Sequence, residues 1–312
     1  MTGATGHLGN NLVRELIHQK YDVRVLCRLG SDITPIKNLD VEIVNGDVTN
    51  FASLETAIKG IETVFHMASY ISLMPLEKKK LYSINVEGMK NIIEACKKHG
   101  DIKLIYMSSI HAIPNAKNKY IGSYAESKGI ATKNLLNEID LGNIKGAVLY
   151  PTGLIGPNDF KISNIAKTII SHSKNGTLAY VNGSYDFIDV RDVSKTTIEL
   201  VKNEINVKEF ILSGNNQVTV QDLLLELEKL TGVPAPKIEV PIRLVEYYAH
   251  INGFLNKLLG KQAVITGYAI KTLHSEIPNP SSKNTENLIF RTRNWKESIK
   301  DQYDWLKQNA YI

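Results

Sequence analysis

Apolar and polar residues follow two alternating patterns along the first two thirds of the chain. Short runs rich in β-branched residues alternate with longer segments in which apolar residues recur every three or four positions, such as Leu8, Leu12 and Leu16. This alternation is typical of βαβ units, which build a parallel sheet covered by helices on both faces. The pattern therefore predicts an α/β fold with a doubly wound parallel sheet. The predicted strands are 22–28, 41–47, 63–68, 103–109, 146–150 and 209–213.

The alternation weakens from about residue 157, where Gly, Asn and Ser become frequent. A helix is predicted over Thr219–Thr231, because Thr219 and Asp222 form a capping pattern and Gly232 is suited to end the helix. The stretch 242–259 is amphipathic, which fits a membrane or dimer contact but favours a helix packed in a second lobe. We predict a main domain of 1–156 with 185–214 returning to it, a smaller discontinuous substrate lobe of about 157–184 and 215–285, and a C-terminal helix region of 286–312.

The composition is that of an ordinary globular protein, with 43% hydrophobic and 22% charged residues among 312. The net charge of +5 comes from 37 basic and 32 acidic side chains scattered along the chain, so no nucleic-acid partner is expected. Cys27 and Cys96 lack metal-ligand spacing, which predicts free thiols in a reducing compartment and no metal site. The absence of a signal peptide, and of an apolar stretch near the ~20 residues of a membrane helix, predicts a cytoplasmic protein without a membrane partner.

Glycines recur at every third position near the start of the chain, directly before the first amphipathic helix. Glycine permits a tight turn and lets backbone amides approach a pyrophosphate, while the N-terminus of the helix favours the negative charge. The alternative is an ordinary glycine-rich turn without a ligand. The candidate cofactor-binding residues of this loop are Gly3, Thr5, Gly6, His7, Leu8 and Gly9.

Arg28 ends the second predicted strand, where the adenosine ribose of a bound dinucleotide would lie. A carboxylate at this position would accept a hydrogen bond from the ribose 2′-hydroxyl group, whereas an arginine would pair with a 2′-phosphate. The sequence therefore favours NADP(H) over NAD(H). The alternative is that Arg28 ends the strand and points to solvent.

The chain begins at Met1, directly before the glycine loop, which leaves no room for the strand that normally precedes such a loop. In the usual strand order, 3-2-1-4-5-6, that strand is central, so its absence would leave two unpaired edges inside the sheet. We therefore expect the natural chain to begin several residues upstream, or a tag to supply the strand.

Tyr124 and Lys128 are the most specific chemical signal in the sequence. At positions i and i+4 they share one face of a helix, and a lysine cation so close favours the phenolate, which suits general acid or base catalysis. A serine at the end of the preceding strand, Ser108 or Ser109, could donate a hydrogen bond to the oxygen of a reacting carbonyl group.

These motifs, in this order, resemble the extended short-chain dehydrogenase/reductase family, particularly its dihydroflavonol 4-reductase-like branch. Further matching segments are Gly46–Val48, His66–Ala68, Asn85–Gly88, Pro151–Pro157 and Phe187–Asp192. The resemblance implies a Rossmann-type fold over nearly the whole chain and catalytic roles for Ser109, Tyr124 and Lys128. It also implies that Lys128 holds the nicotinamide ribose. The other cofactor-binding residues that it implies are Asp47 and Val48 at the adenine, and Met67, Ala68, Pro151, Gly153 and Leu154 near the nicotinamide.

The chain departs from the sugar-nucleotide dehydratases of the family, because Ile110 and His111 replace the acidic pair that follows their catalytic Ser/Thr. Dehydration is therefore disfavoured, and an epimerase is the enzymatic alternative. A second alternative is a non-catalytic NADP(H)-sensing regulator, which is disfavoured because the tyrosine and the lysine are both present. His111 is expected to be structural, with contact to substrate as the alternative.

The sequence thus predicts an NADP(H)-dependent reductase or dehydrogenase that interconverts a carbonyl and a secondary alcohol on a small, apolar molecule. A homodimer is possible by resemblance alone. The residues that could line an apolar pocket are Tyr185, Phe187, Tyr247, Tyr248 and Phe254, although core packing explains each of them equally well.

Overall fold

A computed structural model describes residues 1–72, 77–115, 117–202, 207–244 and 292–312. The six strands predicted from the sequence are all present, each close to its predicted position. They are β1 Arg24–Cys27, β2 Glu42–Asn45, β3 Thr63–His66, β4 Lys103–Met107, β5 Lys145–Pro151 and β10 Glu209–Leu212. They form a parallel main sheet, with the strand pair β1–β2 on one side and the strand order β10-β5-β4-β3 on the other.

Met1 and Thr2 lie between β1 and β3. This is the position of the central strand, for which the sequence analysis predicted no residues. Thr2 forms parallel bridges to both strands. The Leu26 amide donates to the Met1 carbonyl oxygen at 2.8 Å, and the Thr2 amide donates to the Phe65 carbonyl oxygen at 3.0 Å. The expectation of two wholly unpaired edges is therefore corrected, because these two residues pair with the carboxyl halves of both strands.

Helices cover both faces of the sheet and bury two separate apolar clusters. One cluster, which includes Leu12 and Val25, lies under α1 and α7, and the other, which includes Ile92 and Leu135, lies under α2, α4 and α5. A π-helical turn, Ser83–Glu87, joins α3 to α4. The helices are α1 His7–His18, α2 Phe51–Ile58, α3 Lys78–Tyr82, α4 Gly88–His99, α5 Gly122–Asp140, α6 Asn164–Asn175, α7 Val190–Lys202, α8 Val220–Thr231 and α9 Trp295–Gln308.

The second half of the chain adds a third apolar cluster around Ile169, Leu227 and Ile299, contributed by α6, α8 and α9. The predicted capping pattern of α8 is confirmed, since Thr219 and Asp222 form a reciprocal capping box and Gly232 ends the helix in the left-handed conformation. The short strands here are β6 Gly153–Ile155, β7 Ala179–Tyr180, β8 Ser184–Tyr185, β9 Phe187–Asp189, β11 Val218–Thr219 and β12 Ile238–Glu239. Strand β6 pairs with β9, β8 with β11 and β7 with β12.

The predicted fold class, an α/β fold with a doubly wound parallel sheet, is confirmed. Only β10 rejoins the main sheet from the returning segment 185–214, because β9 pairs with β6 instead. The amphipathic stretch 242–259 lies almost wholly outside the described residues, as do Tyr247, Tyr248 and Phe254.

Candidate active site

Four of the predicted functional residues lie at one edge of the sheet, because each of the four follows the carboxyl end of a parallel strand. Arg28 follows β1, Asp47 follows β2, Ala68 follows β3 and Ser109 follows β4. In open α/β sheets this edge forms the crevice in which ligands bind. The topology therefore brings to one edge residues that are up to 81 positions apart in the chain.

The glycine loop, residues 3–9, is packed tightly except at its middle glycine. A Cβ atom on Gly3, whose φ is +72°, would lie 2.6 Å from the backbone at Met67 and Ala68. A Cβ on Gly9 would lie 2.0 Å from the Gly3 carbonyl oxygen, so neither position admits a side chain. A Cβ on Gly6 would meet only that oxygen, at 3.3 Å.

Gly6 is also the N-cap of α1, and no side chain caps the helix or places a carboxylate in its first turn. Among the residues that the structure describes, no side chain therefore caps the amide groups at this helix start. A glycine that internal packing only weakly requires, next to an uncapped helix N-terminus, fits the close approach of a pyrophosphate. The loop thus fits the phosphates of a dinucleotide.

The other loop candidates differ in what their side chains can reach. Leu8 is buried in the core under α1, so only its backbone could face a cofactor. Thr5 is partly exposed. The His7 side chain points to the carbonyl groups of Gly156 and Pro157.

Arg28 is exposed at the end of β1. Within the described part of the chain, no carboxylate forms an ion pair with its guanidinium, whereas Arg24 pairs with Glu42 and Arg191 with Asp189. Arg28 is therefore available to an anion from outside the chain, as the sequence-based interpretation requires.

A cavity of about 540 Å³ opens beside Asp47, at the predicted adenine end of the site. One oxygen of the Asp47 carboxylate accepts hydrogen bonds from the Thr49 amide and hydroxyl groups, both at 2.8 Å. Val48 is buried and is packed so closely by Gly88 that a Cβ on Gly88 would lie 2.9 Å from the Val48 side chain. The remaining residues that line the cavity are Thr49, Glu77, Lys79, Lys80, Ser83 and Ile84.

The predicted nicotinamide side of the site is formed by the ends of β3 and β5. Thr2 accepts two hydrogen bonds here. Its carbonyl oxygen accepts one from the Met67 amide at 3.2 Å, and its side-chain hydroxyl oxygen accepts one from the Ala68 amide at 3.2 Å. Pro151 ends β5 and pairs with Leu212 of β10.

Gly153 and Leu154 begin β6, one residue after Pro151 ends β5. A Cβ atom on Gly153 would lie 2.9 Å from the Phe187 ring. Phe187 itself belongs to the third apolar cluster, with Tyr185 stacked on it at 5.4 Å between ring centroids. The role of Phe187 in this structure is therefore packing.

The two serines after β4 have different partners. The Ser108 hydroxyl is buried and lies 2.7 Å from the Thr132 hydroxyl on α5. Ser109 is half-buried, and within the described ranges its hydroxyl oxygen accepts one long hydrogen bond of 3.3 Å, from the His111 amide. Because its proton is not committed to that bond, Ser109 is the serine that could donate to a substrate oxygen.

Lys128 lies one turn after Tyr124 on α5, and only 1% of its surface is exposed. Its Nζ donates to the Met107 carbonyl oxygen at 2.7 Å and lies 4.2 Å from the centre of the Tyr106 ring. Burial lowers the pKa of Lys128 from its ordinary 10.5 to about 7. At neutral pH the amine is therefore divided between its charged and neutral forms, and an anionic partner would favour the charged one.

Asn85 is a further site residue whose role the sequence did not indicate. Its buried side-chain amide accepts from the Tyr70 amide at 2.8 Å and donates to the Tyr70 carbonyl oxygen at 3.0 Å. The same amide donates to the Ser127 hydroxyl at 3.0 Å, and Ser127 in turn donates to the Tyr124 carbonyl oxygen at 2.8 Å. Asn85 thus ties the segment after β3 to the helix that carries Tyr124.

His66 is a second buried polar residue beneath the site. Its Nδ1 lies 2.7 Å from the Thr2 hydroxyl, and its ring stacks on Tyr106 at 5.4 Å between centroids. Burial, and then the charges of Lys128 and the N-terminus, lower the pKa of His66 to about 3. His66 is therefore neutral at physiological pH. His111 is half-buried beside Ser109, and burial lowers its pKa as well.

Comparison with known proteins identifies the class. Residues 1–211 match the model of the NAD dependent epimerase/dehydratase family. The chain belongs to this family of extended short-chain dehydrogenases/reductases, so the predicted resemblance is confirmed.

Several similar proteins align with this chain over its whole length. A putative dihydroflavonol 4-reductase of Synechocystis is 29% identical, covering 100% of this chain and 95% of that protein. Sterol demethylase protein B of Methylococcus capsulatus is 26% identical, covering 100% and 99%. The crystal structure of gox2253 superposes with a TM-score of 0.84 at 24% identity, covering 100% and 98%, which shows the shared fold.

Several relatives are named as reductases or dehydrogenases, which confirms the predicted enzyme class of NAD(P)-dependent oxidoreductases. Within the described ranges, every helix is too short or too polar to cross a bilayer.

Proposed function

We propose that this protein is an NADP(H)-dependent reductase or dehydrogenase that interconverts a carbonyl and a secondary alcohol on a small, apolar substrate. The environment of Lys128 carries this proposal. Its amine is enclosed, is paired with no carboxylate among the described residues, and lies one helical turn from Tyr124. Because burying a cation without an opposite charge is costly, such a group points to a functional site more than to a structural ion pair.

The reaction divides between the cofactor and the chain. The nicotinamide supplies or accepts the hydride when it is bound. In the direction of reduction, Tyr124 donates its phenolic proton to the carbonyl oxygen, and the Ser109 hydroxyl donates a hydrogen bond that orients this oxygen. Lys128, in its charged form, stabilises the phenolate that remains on Tyr124.

The preference for NADP(H) rests on Arg28. An exposed guanidinium without an ion-pair partner in the described chain can bind a 2′-phosphate through charge-assisted hydrogen bonds. NAD(H) has only a hydroxyl group at that position, so it gains nothing comparable from an arginine.

The apolar substrate is supported by the relatives more than by the charges of the chain. Among the described arginines of the second half of the chain, Arg191 is held by Asp189 and Asp301 and Arg293 by Asp192, whereas Arg243 is exposed. The two relatives above are named for a dihydroflavonol and a sterol, both uncharged ring systems without a phosphate.

The test is a nicotinamide-absorbance assay with NADPH or NADH and a panel of aldehydes, aromatic ketones and 3-ketosteroids, run beside a UDP-glucose epimerase assay. We expect oxidation of NADPH in preference to NADH with at least one apolar carbonyl compound. Epimerisation without net oxidation would support the alternative enzyme. NADPH binding without turnover across the whole panel would support a regulator. The possible homodimer stays a prediction, which a measurement of mass in solution would test.

A further inference from the structure

Side chains at the start of α1 form hydrogen bonds with residues 156–159, the loop that follows β6. The Nε2 of His7 lies 3.1 Å from both the Gly156 and the Pro157 carbonyl oxygens. Carbonyl oxygens only accept hydrogen bonds, so Nε2 carries the proton and donates. This bond joins the glycine loop to a segment about 150 residues further along the chain.

Two asparagines on the next turn repeat the connection. The Asn10 amide donates to the Asn158 carbonyl oxygen at 3.0 Å, and the Asn11 amide donates to the Pro157 carbonyl oxygen at 3.1 Å. The Asn158 side chain returns a bond of 3.0 Å to the Asn11 side-chain oxygen. Asn10 and Asn11 are buried, so these bonds form away from water. We call His7, Asn10 and Asn11 the α1 latch.

The 156–159 loop is also fixed by a buried carboxylate, that of Asp159, one oxygen of which lies 3.8 Å from the His7 Nδ1. Asp159, which has no exposed surface, accepts from the Ser163 amide and from the Gln302 side chain of α9, each at about 3.1 Å. The Gly156 amide in turn donates to the Gln302 side-chain oxygen at 3.3 Å. The loop is therefore a fixed anchor, and the latch ties the glycine loop to it.

The latch spans the two ends of the proposed cofactor site. His7 lies between Gly6 and Gly9, where the pyrophosphate is expected, and the 156–159 loop continues the strand that begins at Gly153, beside the expected nicotinamide. The distance between the glycine loop and the 156–159 loop therefore has to match the length of an extended dinucleotide.

We propose that His7 is a positioning residue that sets this distance through its bonds to Gly156 and Pro157, and thereby controls the affinity for NADP(H). The inference rests on the proposed function, because it assumes that a nicotinamide dinucleotide binds here. Its alternative is a histidine that only stabilises the fold.

The chain supplies a matched control for that alternative. His172 on α6 is fully buried and bonds in the same manner, with Nε2 3.2 Å from the Val233 carbonyl oxygen and Nδ1 3.0 Å from the Thr177 hydroxyl. Its partners belong to the second half of the chain and not to the glycine loop. Its replacement therefore measures the loss of a buried histidine without a change at the cofactor site.

The experiment compares His7→Phe, His7→Gln, Asn11→Ala and His172→Phe with the wild-type full chain. The dissociation constants of NADPH and NADH are titrated by fluorescence, and the melting temperature by circular dichroism. We expect His7→Phe to weaken the tighter-binding dinucleotide about tenfold, within the usual range of coupling between two sites. His7→Gln, which keeps one donor, should lose less. His172→Phe should lower the melting temperature and leave the dissociation constant within about twofold.

An active substrate adds a second readout. For His7→Phe the KM for NADPH should rise more than kcat falls, whereas a purely structural loss would reduce the amount of folded enzyme and leave KM unchanged. Folded His7→Phe with a wild-type dissociation constant would overturn the inference. If His7→Phe does not fold, the same result for Asn11→Ala overturns it. A wild type that binds neither dinucleotide would refute the proposed function, and this inference with it.

Discussion

Replacing Lys128 with methionine should make the protein more stable and inactive. Methionine matches the length and apolar stem of lysine without the amine. In the wild type that amine is 1% exposed and is compensated by the Met107 carbonyl oxygen and the face of the Tyr106 ring. Neither carries a full negative charge, so the protonated amine is poorly stabilised in the fold.

The magnitude follows from the pKa of Lys128, which burial lowers from 10.5 in the unfolded chain to about 7 in the fold. Between pH 7 and pH 10.5 the unfolded chain keeps the proton of Lys128, whereas the folded chain releases it. The free energy of unfolding of the wild type therefore rises with pH across this range. The free-energy cost of burying the protonated amine is greatest below pH 7, and at pH 7 it is on the order of 4 kcal/mol. The Met107 carbonyl oxygen loses a partner in the variant, which costs about 1 to 3 kcal/mol. The free energy of unfolding should therefore rise by about 1 to 3 kcal/mol at pH 7.

The assay is urea unfolding followed by circular dichroism between pH 6 and pH 10, without cofactor. The stability advantage of the variant should fall as the pH rises and should reverse near pH 10, because the cost of the buried charge is then nearly gone and the lost partner of the Met107 carbonyl oxygen remains. Lys133→Met, an exposed lysine on the same helix, is the control and should change the free energy of unfolding by about 0.5 kcal/mol or less at every pH. A Lys128→Met protein that is less stable than the wild type at pH 7, or a difference that does not vary with pH, would refute the reasoning.

Three further substitutions test the cofactor site. Arg28→Ser should raise the KM for NADPH about 10- to 100-fold and leave that for NADH nearly unchanged, because only the 2′-phosphate loses charge-assisted bonds; equal effects on both would contradict the assignment. Gly6→Ala should keep the melting temperature within a few degrees but weaken dinucleotide binding, as a dissociation constant would show. Gly9→Ala should fold poorly, since its Cβ would lie 2.0 Å from a backbone oxygen, and a wild-type melting temperature would argue against that packing.

The main sheet was predictable because its strands carry strong local signals. Buried strands such as β4 and β5 are continuous apolar runs, and α1 has a clear apolar face. The strands of two or three residues around β6 to β9 were not predicted, because so short a segment has no periodicity to recognise. The central position between β1 and β3 was left empty in the prediction. Two residues, Met1 and Thr2, pair there in the structure, and two residues are likewise too few to show a strand pattern.

Candidate site residues could be named from the sequence where they belong to local motifs, as with Gly6 in its loop and Tyr124 four positions before Lys128. The hydrogen bonds that position these groups were not. Asn85 clamps a segment 15 residues before it to a helix 42 residues after it, and His7 bonds to carbonyl groups about 150 residues away. Neither the spacing of residues in a motif nor their helix and strand propensities predict such hydrogen-bond partners, because the partners meet only when the chain is folded.

The most direct test of the proposed activity is the turnover of Tyr124→Phe, measured with NADPH and the most reactive carbonyl compound of the panel beside the NADPH dissociation constant. Phenylalanine keeps the ring and removes only the hydroxyl group that would donate the proton. We expect Tyr124→Phe to lose turnover by a factor on the order of 10² to 10⁴ while its NADPH dissociation constant stays largely unchanged. A Tyr124→Phe protein that retains near-wild-type turnover would contradict the proposed activity.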